Sequence, residues 1–392
     1  MIRSRSDLGR TRRMVVKVGS SLLTDANDGL RMPVVERIAT EIAALQQHGT
    51  EVCLVTSGAV ALGRVQMRWL DKHLSVHEKQ AAAAIGQPLL MHAYKQAFAA
   101  HGLQVAQLLL TKDDLRHRRR YLNASNTSQT LFAAGVVPVV NENDTVVVEE
   151  IKFGDNDTLG ALVSLLIDAE LMVMMTDVDG LFSENPAVSA AAERLSTIES
   201  LTAEIMAMAD DAGSAFGTGG MVSKLKAARI ATRGGVAAAI VNGHSENILA
   251  ELMQGNDVGS LFLCGADRQS RRQHWIADVL HPAGKIHVDE GAARAIVKGG
   301  GSLLPIGMTG VEGLFDKGEC VEICAPDGVI ARGLCNYNAD EMRRLIGISS
   351  EKIEEVLGFV DFTSVIHRDN LVLSDLKQAS LKRTGTSGEK YE

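Results

Sequence analysis

Strand-like and helix-like segments alternate along the first two thirds of the sequence, and this alternation restricts the fold more than any other feature. Six short aliphatic and β-branched runs have the character of strands that are buried on both faces, as in a parallel sheet. These runs are residues 14–18, 52–56, 105–110, 136–140, 171–176 and 237–241. Apolar residues recur at helical spacing between them, in residues 33–45, 77–100, 123–134, 157–168 and 220–233. The repetition predicts a three-layer α/β/α domain with a mostly parallel sheet over residues 14–265.

Two details of this first domain depart from simple alternation. Residues 144–153 are β-branched and hydrophobic, which predicts a β-excursion or hairpin beside the sheet. The helix over 77–100 contains Gly86 and Pro88, and we expect an interruption there.

The pattern changes near residue 265. The polar composition of residues 266–280 predicts a linker. In residues 281–368, short strand-like runs alternate with glycine turns, and this pattern predicts a small, mostly β second domain. Residues 369–392 predict a polar, disordered tail. Residues 1–13 carry five arginines against one aspartate without an apolar segment, so we expect a solvated basic arm and not a secretory signal.

The charge of the chain excludes some classes of partner. A net charge of −8 argues against a general nucleic-acid or membrane binder. No apolar stretch reaches membrane-spanning length. The five cysteines are dispersed, and Cys320 and Cys324 lack the second pair or the histidines of a zinc site. A reducing, cytoplasmic location fits these features.

A glycine-rich loop at residues 217–224 (GTGGMVSK) is the strongest sign of chemistry. The residues after it have helical spacing, so the loop opens a helix whose free N–H groups and positive dipole end suit a phosphate. Lys224 lies in the first turns of that helix, where its ammonium can reach the same anion. A flexible surface turn is the alternative interpretation of the loop taken alone.

Polar segments follow most of the predicted strands at their carboxyl ends. In open α/β sheets this edge holds the ligand. The segments are residues 17–21, 56–59, 141–144 and 176–180, with 154–157 following the β-excursion. Neither a Walker A pattern nor a G-x-G-x-x-G between a strand and a helix is present, so the common P-loop and dinucleotide interpretations have no support.

The motifs, taken in order, resemble those of the amino acid kinase family. They are residues 15–21, 55–63 (VTSGAVALG), 121–124 (YLNA), 141–144 (NEND), 154–157 (GDND) and 217–224 (GTGGMVSK). NEND and GDND together are most similar to the members that phosphorylate L-glutamate. Residues 283–292 (AGKIHVDEGA) resemble the PUA module that many bacterial members carry after the kinase domain. The resemblance covers residues 14–368 and implies the amino acid kinase fold followed by a PUA-like domain.

The resemblance implies ATP-dependent phosphorylation of the γ-carboxylate of L-glutamate to L-glutamyl 5-phosphate, the first step of proline biosynthesis. The residues agree with this chemistry, because a carboxylate with a pKa of about 4.3 is ionised at pH 7 and requires no general base. Bringing it to a triphosphate is an electrostatic and positioning problem. The family also implies Mg²⁺ as cofactor, proline as inhibitor and a homo-oligomer, dimer or tetramer.

The resemblance assigns roles to individual residues at matching positions. Those in catalysis are Lys17, which bridges the transferred phosphoryl group, Lys224, which holds leaving-group charge, and Asp157, which orients the lysines. Ser57, Asp144 and Asn156 fall on glutamate-binding positions. The ATP-binding positions are Lys17, Thr176, Asp177, Thr218, Gly219, Gly220, Met221, Val222, Ser223 and Lys224. Asp177 has the alternative of an ordinary strand-end turn or N-cap. No protein ligand to Mg²⁺ is assigned, because the ion is expected on the phosphates with water.

Two rival functions remain open from the sequence. One is another amino acid kinase, acting on acetylglutamate, aspartate or a nucleoside monophosphate, against which NEND, GDND and the appended domain weigh. The other is RNA binding or modification, since PUA modules are best known there. Residues 281–360 carry eight Lys and Arg against twelve Asp and Glu. Binding to a phosphate backbone favours the opposite sign, which disfavours RNA as a partner.

Overall fold

The computed structural model describes residues 2–25, 29–70, 72–146, 156–186, 188–189, 191–211, 220–264 and 280–374. They form two compact units. The first contains the described residues up to 264 except 116–120, which group with the second unit, residues 280–374.

The first unit is built on a large sheet. The strands of this unit are β1 (Arg13–Val18), β2 (Thr24–Asp25), β3 (Gly29–Leu30), β4 (Glu51–Val55), β5 (Val105–Leu110), β6 (Val137–Glu142), β7 (Leu171–Thr176), β8 (Thr197–Ile198), β9 (Ala237–Asn242) and β10 (Ser260–Phe262). Among the described residues, eight of them form one sheet in the order β5-β6-β4-β1-β7-β9-β10-β8, and β2 pairs with β3 alone. The six predicted strands are confirmed and all run parallel, with β1 at the centre between β4 and β7. Strand β10 pairs antiparallel to β9 and parallel to β8.

Helices cover both faces of this sheet. They are α1 (Ser20–Leu23), α2 (Met32–Gln47), α3 (Ala59–Gln66), α4 (Val76–Ala99), α5 (Lys112–Arg116), α6 (Arg118–Ala133), α7 (Asn156–Leu166), α8 (Ala203–Asp211), α9 (Met221–Arg233) and α10 (Ile248–Met253). Helices α2, α4 and α10 share one apolar core with alternate residues of the central strands, including Met14, Val16 and Val18. Helix α7 packs on the opposite face, where a Cβ on Gly160 would lie 3.5 Å from the Cβ of Lys17. The predicted three-layer domain is therefore confirmed.

Helix α4 is continuous through Gly86 and Pro88, so the predicted interruption is wrong. The glycine serves close packing against α3 instead. A Cβ on Gly86 would lie 1.8 Å from the carbonyl oxygen of Ala59, and one on Gly63 would lie 1.8 Å from that of Ala82. These contacts fix the start of α3, and with it the loop after β4, against the middle of α4.

The arginine-rich N-terminus is folded against the first unit, and the expectation of a solvated arm is wrong for the residues that the structure describes there. Arg5–Arg10 form a 3₁₀ helix, and Ile2 and Leu8 are buried. The Arg5 guanidinium donates to four backbone carbonyl oxygens, those of Ser196, Asn256, Val258 and Gly259. A guanidinium carries five N–H donors, so it can satisfy several backbone carbonyl oxygens at once.

The second unit is a small β-rich domain with its own apolar core. Its strands and α-helices are β11 (Gly284–Val288), α11 (Glu290–Gly299), β12 (Met308–Gly313), β13 (Cys320–Ala325), β14 (Gly328–Leu334), α12 (Ala339–Arg344), α13 (Ile353–Leu357) and β15 (Leu371–Leu373). The sheet order is β12-β11-β13-β14-β15. Strands β11 and β13 are parallel and the other pairs are antiparallel.

Strand β15 lies beyond residue 368, where the sequence predicts a polar tail, and this corrects the boundary. Leu371 and Val372 are buried against β14, and three residues were too short a run to show a strand pattern. Residues 375–392 of that tail lie outside the described residues, as do all of the predicted linker except Leu280 and all of the predicted hairpin after residue 146. Within the described ranges, no helix combines the length and the apolar character that a bilayer crossing requires.

Candidate active site

Two lysines converge on one buried carboxylate at the carboxyl edge of the sheet. Lys17 Nζ lies 2.6 Å from Asp157 Oδ1, and Lys224 Nζ lies 3.6 Å from Asp157 Oδ2. The Ser223 hydroxyl donates to Asp157 Oδ2 over 2.6 Å. The side chain of Asp157 is 0% exposed, and those of Lys17 and Lys224 are 6% and 10% exposed. The structure thus brings together the three residues that the resemblance assigns to catalysis.

Three separate elements supply these side chains. Lys17 is the fifth residue of β1, and the alternation of the strand turns it toward α7. Asp157 lies in the first turn of α7, where the helix N-terminus favours a carboxylate. Lys224 lies in the first turns of α9, which begins after Gly220. Residues far apart in sequence meet because the parallel strands end at one edge.

The electrostatics of this cluster hold Asp157 in its ionised form. Burial by itself raises the pKa of Asp157, but the Lys17 and Lys224 ammonium groups and the Ser223 hydroxyl outweigh it, so the pKa is below the ordinary value. Burial is the main reason that the pKa of Lys224 is lowered; Lys17 adds to the shift and Asp157 opposes it. Lys17 and Lys224 share the Asp157 carboxylate, and the Asp177 carboxylate also favours the charged form of Lys224.

A second cluster surrounds Asn156, the residue before Asp157. Its Nδ2 donates to the Thr56 carbonyl oxygen over 2.7 Å, to Ser57 Oγ over 2.9 Å and to Asn141 Oδ1 over 3.0 Å. The structure therefore brings together Ser57 and Asn156, two of the three residues predicted to bind glutamate, beside the lysine cluster.

Asp144, the third of these residues, lies just after β6, three positions beyond Asn141. Burial raises the pKa of Asp144 to about 7, and the neighbouring Glu142 carboxylate adds to the shift. A carboxylate in such a place gains most from a cationic partner.

The predicted nucleotide residues divide into those that the structure describes and those that it does not. Thr176 is buried at the end of β7; its hydroxyl donates to Asp177 Oδ1 over 2.9 Å, and its carbonyl oxygen accepts from the Gly243 N–H over 2.6 Å. Gly220 precedes α9, and its carbonyl oxygen accepts from the Ser223 backbone N–H over 3.0 Å. Met221 and Val222 follow in the first turn of α9 and are half-buried. Thr218 and Gly219 lie outside the described residues, so their assignment stays a prediction.

Sequence reasoning did not assign roles to Gln87, Asn141, Thr56 and Tyr94, which surround this second cluster. Asn141 Nδ2 donates to Gln87 Oε1 over 2.8 Å, and the Thr56 hydroxyl lies 2.9 Å from the Tyr94 hydroxyl. Asn141 belongs to the NEND motif and could have been included on that ground. Gln87 and Tyr94 lie within a long helix, and only their placement on its buried face marks them.

The sequence matches two known families in the same order as the two units. Residues 12–242 match the amino acid kinase family, which covers more than half of the chain and includes each residue of the lysine cluster. The chain belongs to the amino acid kinase family. Residues 284–357 match the PUA domain, so this amino acid kinase carries a PUA domain after its catalytic unit.

Curated relatives of this amino acid kinase extend over nearly its whole length. It is 50% identical to the glutamate 5-kinase of Trichlorobacter lovleyi over 93% of this chain and 98% of that protein. It is 48% identical to the glutamate 5-kinase of Geobacter sulfurreducens, with the same coverage. The solved UMP kinase of Bacillus anthracis is 15% identical over 65% of this chain and 97% of that one, with a TM-score of 0.47, which is too distant to inform the site.

Proposed function

We propose that this amino acid kinase transfers the γ-phosphoryl group of ATP to the side-chain carboxylate of L-glutamate, giving L-glutamyl 5-phosphate and ADP in the first step of proline biosynthesis. The observation that carries the proposal is the pair of lysines on Asp157, one residue from the Asn156–Ser57 hydrogen bond. Near-complete coverage of the glutamate 5-kinase relatives supports glutamate as the acceptor.

The cluster suits an acceptor that is already ionised. A general base must take up a proton, but the lowered pKa of Asp157 makes it a weak base, and its oxygens are held by Lys17, Lys224 and Ser223. A glutamate side chain needs no such base, because its carboxylate oxygen attacks the γ-phosphorus directly while the bond to the β-phosphate oxygen breaks.

The lysines then supply the charge that the reaction needs. In the proposed roles, Lys17 contacts the transferred phosphoryl group, and Lys224 stabilises the negative charge that develops on the leaving ADP. Asp157 orients both ammonium groups. Because these charges are already fixed in a buried place, they require little reorganisation as the phosphoryl group moves.

The nucleotide is proposed to lie along the edge between β7 and the start of α9. Thr176 and Asp177 form one side of this edge, and residues 220–224 form the other, with the free N–H groups at the start of α9 directed at phosphate oxygens. The ammonium groups of Lys17 and Lys224 are proposed to contact the phosphates bound at this edge.

Mg²⁺ is the proposed companion of ATP, where it would neutralise phosphate charge and keep the oxygens in line. In the part of the chain that the structure describes, no group of three or more His, Cys, Asp or Glu side chains could hold a metal ion. An ion held mainly by phosphate oxygens and water fits such a donor set. We therefore assign no protein ligand to it.

The acceptor is proposed to lie over Ser57, Asn156 and Asp144. The Asp144 carboxylate is the proposed partner for the α-ammonium group, because a half-buried carboxylate with a raised pKa gains from a cationic neighbour. Cytoplasmic location, assembly as a homo-oligomer and inhibition by proline remain predictions that accompany this proposal.

A coupled ADP-release assay tests the function. The acceptors are L-glutamate, N-acetylglutamate, L-aspartate and UMP, each with Mg²⁺ and ATP, and hydroxylamine traps an acyl phosphate as a hydroxamate. We expect turnover and hydroxamate formation with glutamate. For each of the other acceptors, kcat/KM should be at least about tenfold lower than kcat/KM for glutamate. Preference for any of the other three would contradict the proposal.

A further inference from the structure

Four side-chain amides form a chain of hydrogen bonds that runs from β5 through α4 to the acceptor pocket. Gln87 Nε2 donates to Gln107 Oε1 over 3.0 Å, and Asn141 Nδ2 donates to Gln87 Oε1 over 2.8 Å. Asn156 Nδ2 donates to Asn141 Oδ1 over 3.0 Å. Each amide has one acceptor oxygen and one donor nitrogen, so the orientation of one dictates that of the next.

A backbone carbonyl sets the direction of this chain. Asn156 Nδ2 lies 2.7 Å from the Thr56 carbonyl oxygen, which can only accept a hydrogen bond. The nitrogen end of Asn156 must therefore face Thr56 and Asn141. Asn141 must then offer its oxygen to Asn156 and its nitrogen to Gln87.

This direction decides what the pocket offers to a ligand. The Asn156 nitrogen is already shared among three acceptors, so its Oδ1 is the atom left to meet a donor. Ser57 Oγ accepts from Asn156, so the Ser57 hydroxyl proton is available to a substrate oxygen. One acceptor and one donor side by side match the ammonium and the carboxylate of an α-amino acid.

Gln87 is the member of the chain that holds Asn141 in this orientation. Gln87 and Asn141 are 8% and 2% exposed, so water does not readily replace either amide. The contact of Gly86 with the Ala59 carbonyl fixes the position of this part of α4. Without the Gln87 oxygen, the Asn141 nitrogen would be buried without an acceptor, and the Asn141 side chain would gain by shifting toward another acceptor, which weakens its bond from the Asn156 nitrogen.

We propose that Gln87 is a positioning residue that, through Asn141, holds the Asn156 oxygen toward the α-ammonium group of the acceptor. The inference rests on the proposed function and adds to it the residue that sets the selectivity for an ammonium-bearing dicarboxylate.

The test compares the full-length wild-type protein with Gln87→Met, Gln87→Glu and the control Gln107→Met. Methionine keeps the length of the side chain without an acceptor, whereas glutamate keeps an acceptor for Asn141. Gln107 is exposed on the edge strand β5, so its loss leaves the inner bonds in place. The measured quantities are the KM for glutamate, the inhibition constant of glutarate, which lacks the α-ammonium group, the KM for ATP and the thermal midpoint.

For Gln87→Met we expect the KM for glutamate to rise about 10-fold, the scale of a lost hydrogen bond to a charged group. The glutarate inhibition constant and the KM for ATP should stay within about twofold, because neither ligand meets the Asn156 oxygen in the proposed way. Gln107→Met should resemble wild type. Gln87→Glu should keep the preference for glutamate over glutarate, with a lower thermal midpoint because it buries a carboxylate.

If the KM for glutamate and the inhibition constant of glutarate rise equally in Gln87→Met, or if neither changes, the positioning role is overturned. If Gln87→Met does not fold, Gln87→Glu still decides, since loss of the preference for glutamate over glutarate there would contradict the proposal. Failure of the proposed function is seen separately, as absence of glutamate turnover by the wild-type protein.

Discussion

The Lys17 ammonium lies 2.6 Å from the Asp157 carboxylate in an ion pair that is almost closed to solvent. A buried ion pair gains little stability over apolar residues of similar volume, because desolvation offsets the attraction between the charges. Its placement at the carboxyl edge of the sheet, with Lys224 on the other oxygen, indicates that the charges serve chemistry.

Replacing Lys224 should act mainly on turnover. Lys224→Ala removes a charge that matters most as the phosphoryl group leaves, so we expect kcat to fall at least about 10²-fold while the fold survives. The matched control is Lys226→Ala, an exposed lysine two residues along the same helix, which should leave kcat within about twofold. Steady-state kinetics with circular dichroism measure both, and near-normal kcat in Lys224→Ala would remove this lysine from the site.

Asp157→Asn should affect both stability and activity. It removes the carboxylate between two buried ammonium groups, leaving them uncompensated, which costs about 3 kcal/mol or more where both stay charged. We expect a lower free energy of unfolding in urea and at least a 10²-fold loss of kcat. Asp179→Asn, at an exposed carboxylate near the same edge, serves as the control. Unchanged stability and turnover in Asp157→Asn would contradict the orienting role.

The affinity for glutamate should depend on pH through Asp144. Burial raises the pKa of Asp144 to about 7, so the free protein is largely neutral there at pH 6 and largely ionised at pH 8. Only the ionised form attracts the α-ammonium group, so the KM for glutamate should fall about 10-fold between these values. Glu142→Gln removes the neighbouring charge and should move this transition to lower pH. A KM that does not vary over this range would argue against Asp144 as the ammonium partner.

Proline should inhibit at a site that overlaps that of glutamate. Proline keeps an α-carboxylate beside a cationic nitrogen but lacks the γ-carboxylate, so it can meet Asp144 without presenting a nucleophile. Inhibition should weaken as glutamate rises, and Asp144→Ala should weaken both ligands, because each loses the same charge-assisted hydrogen bond. Calorimetric titration of the variant with proline decides: unchanged proline affinity beside a sharply raised KM for glutamate would mean separate sites.

The PUA domain should be dispensable for the chemistry. Every residue proposed for the site precedes position 225, and the first unit has an apolar core of its own. A chain truncated at Arg268 should still form glutamyl phosphate, trapped as hydroxamate, while its regulation or assembly changes. If the truncated protein folds, as judged by a cooperative thermal transition, but is inactive, the second domain contributes to the site.

The parallel sheet could be predicted because its strands carry their own signal. Fully buried strands such as β7 are continuous apolar runs, and the rule that ligands lie at the carboxyl ends of parallel strands selected the edge at which Lys17, Asp157 and Lys224 meet. Interruption of α4 at Gly86 was wrongly predicted, because a glycine that permits close helix packing has the same local pattern as one that breaks a helix. The N-terminal arginines were misjudged because the carbonyl oxygens that Arg5 binds are about 190 or more residues away in sequence.

The sequence by itself determined the order of strands and helices, the change to a second domain, and which lysines and carboxylates are the candidates for the chemistry, since periodicity and motifs are local properties. Only the tertiary structure decided that both lysines share the Asp157 carboxylate and that Gln87 is connected to Asn156 through Asn141. Those relations depend on distances between elements that are far apart along the chain. They form when the sheet and its helices pack, and no local pattern encodes them.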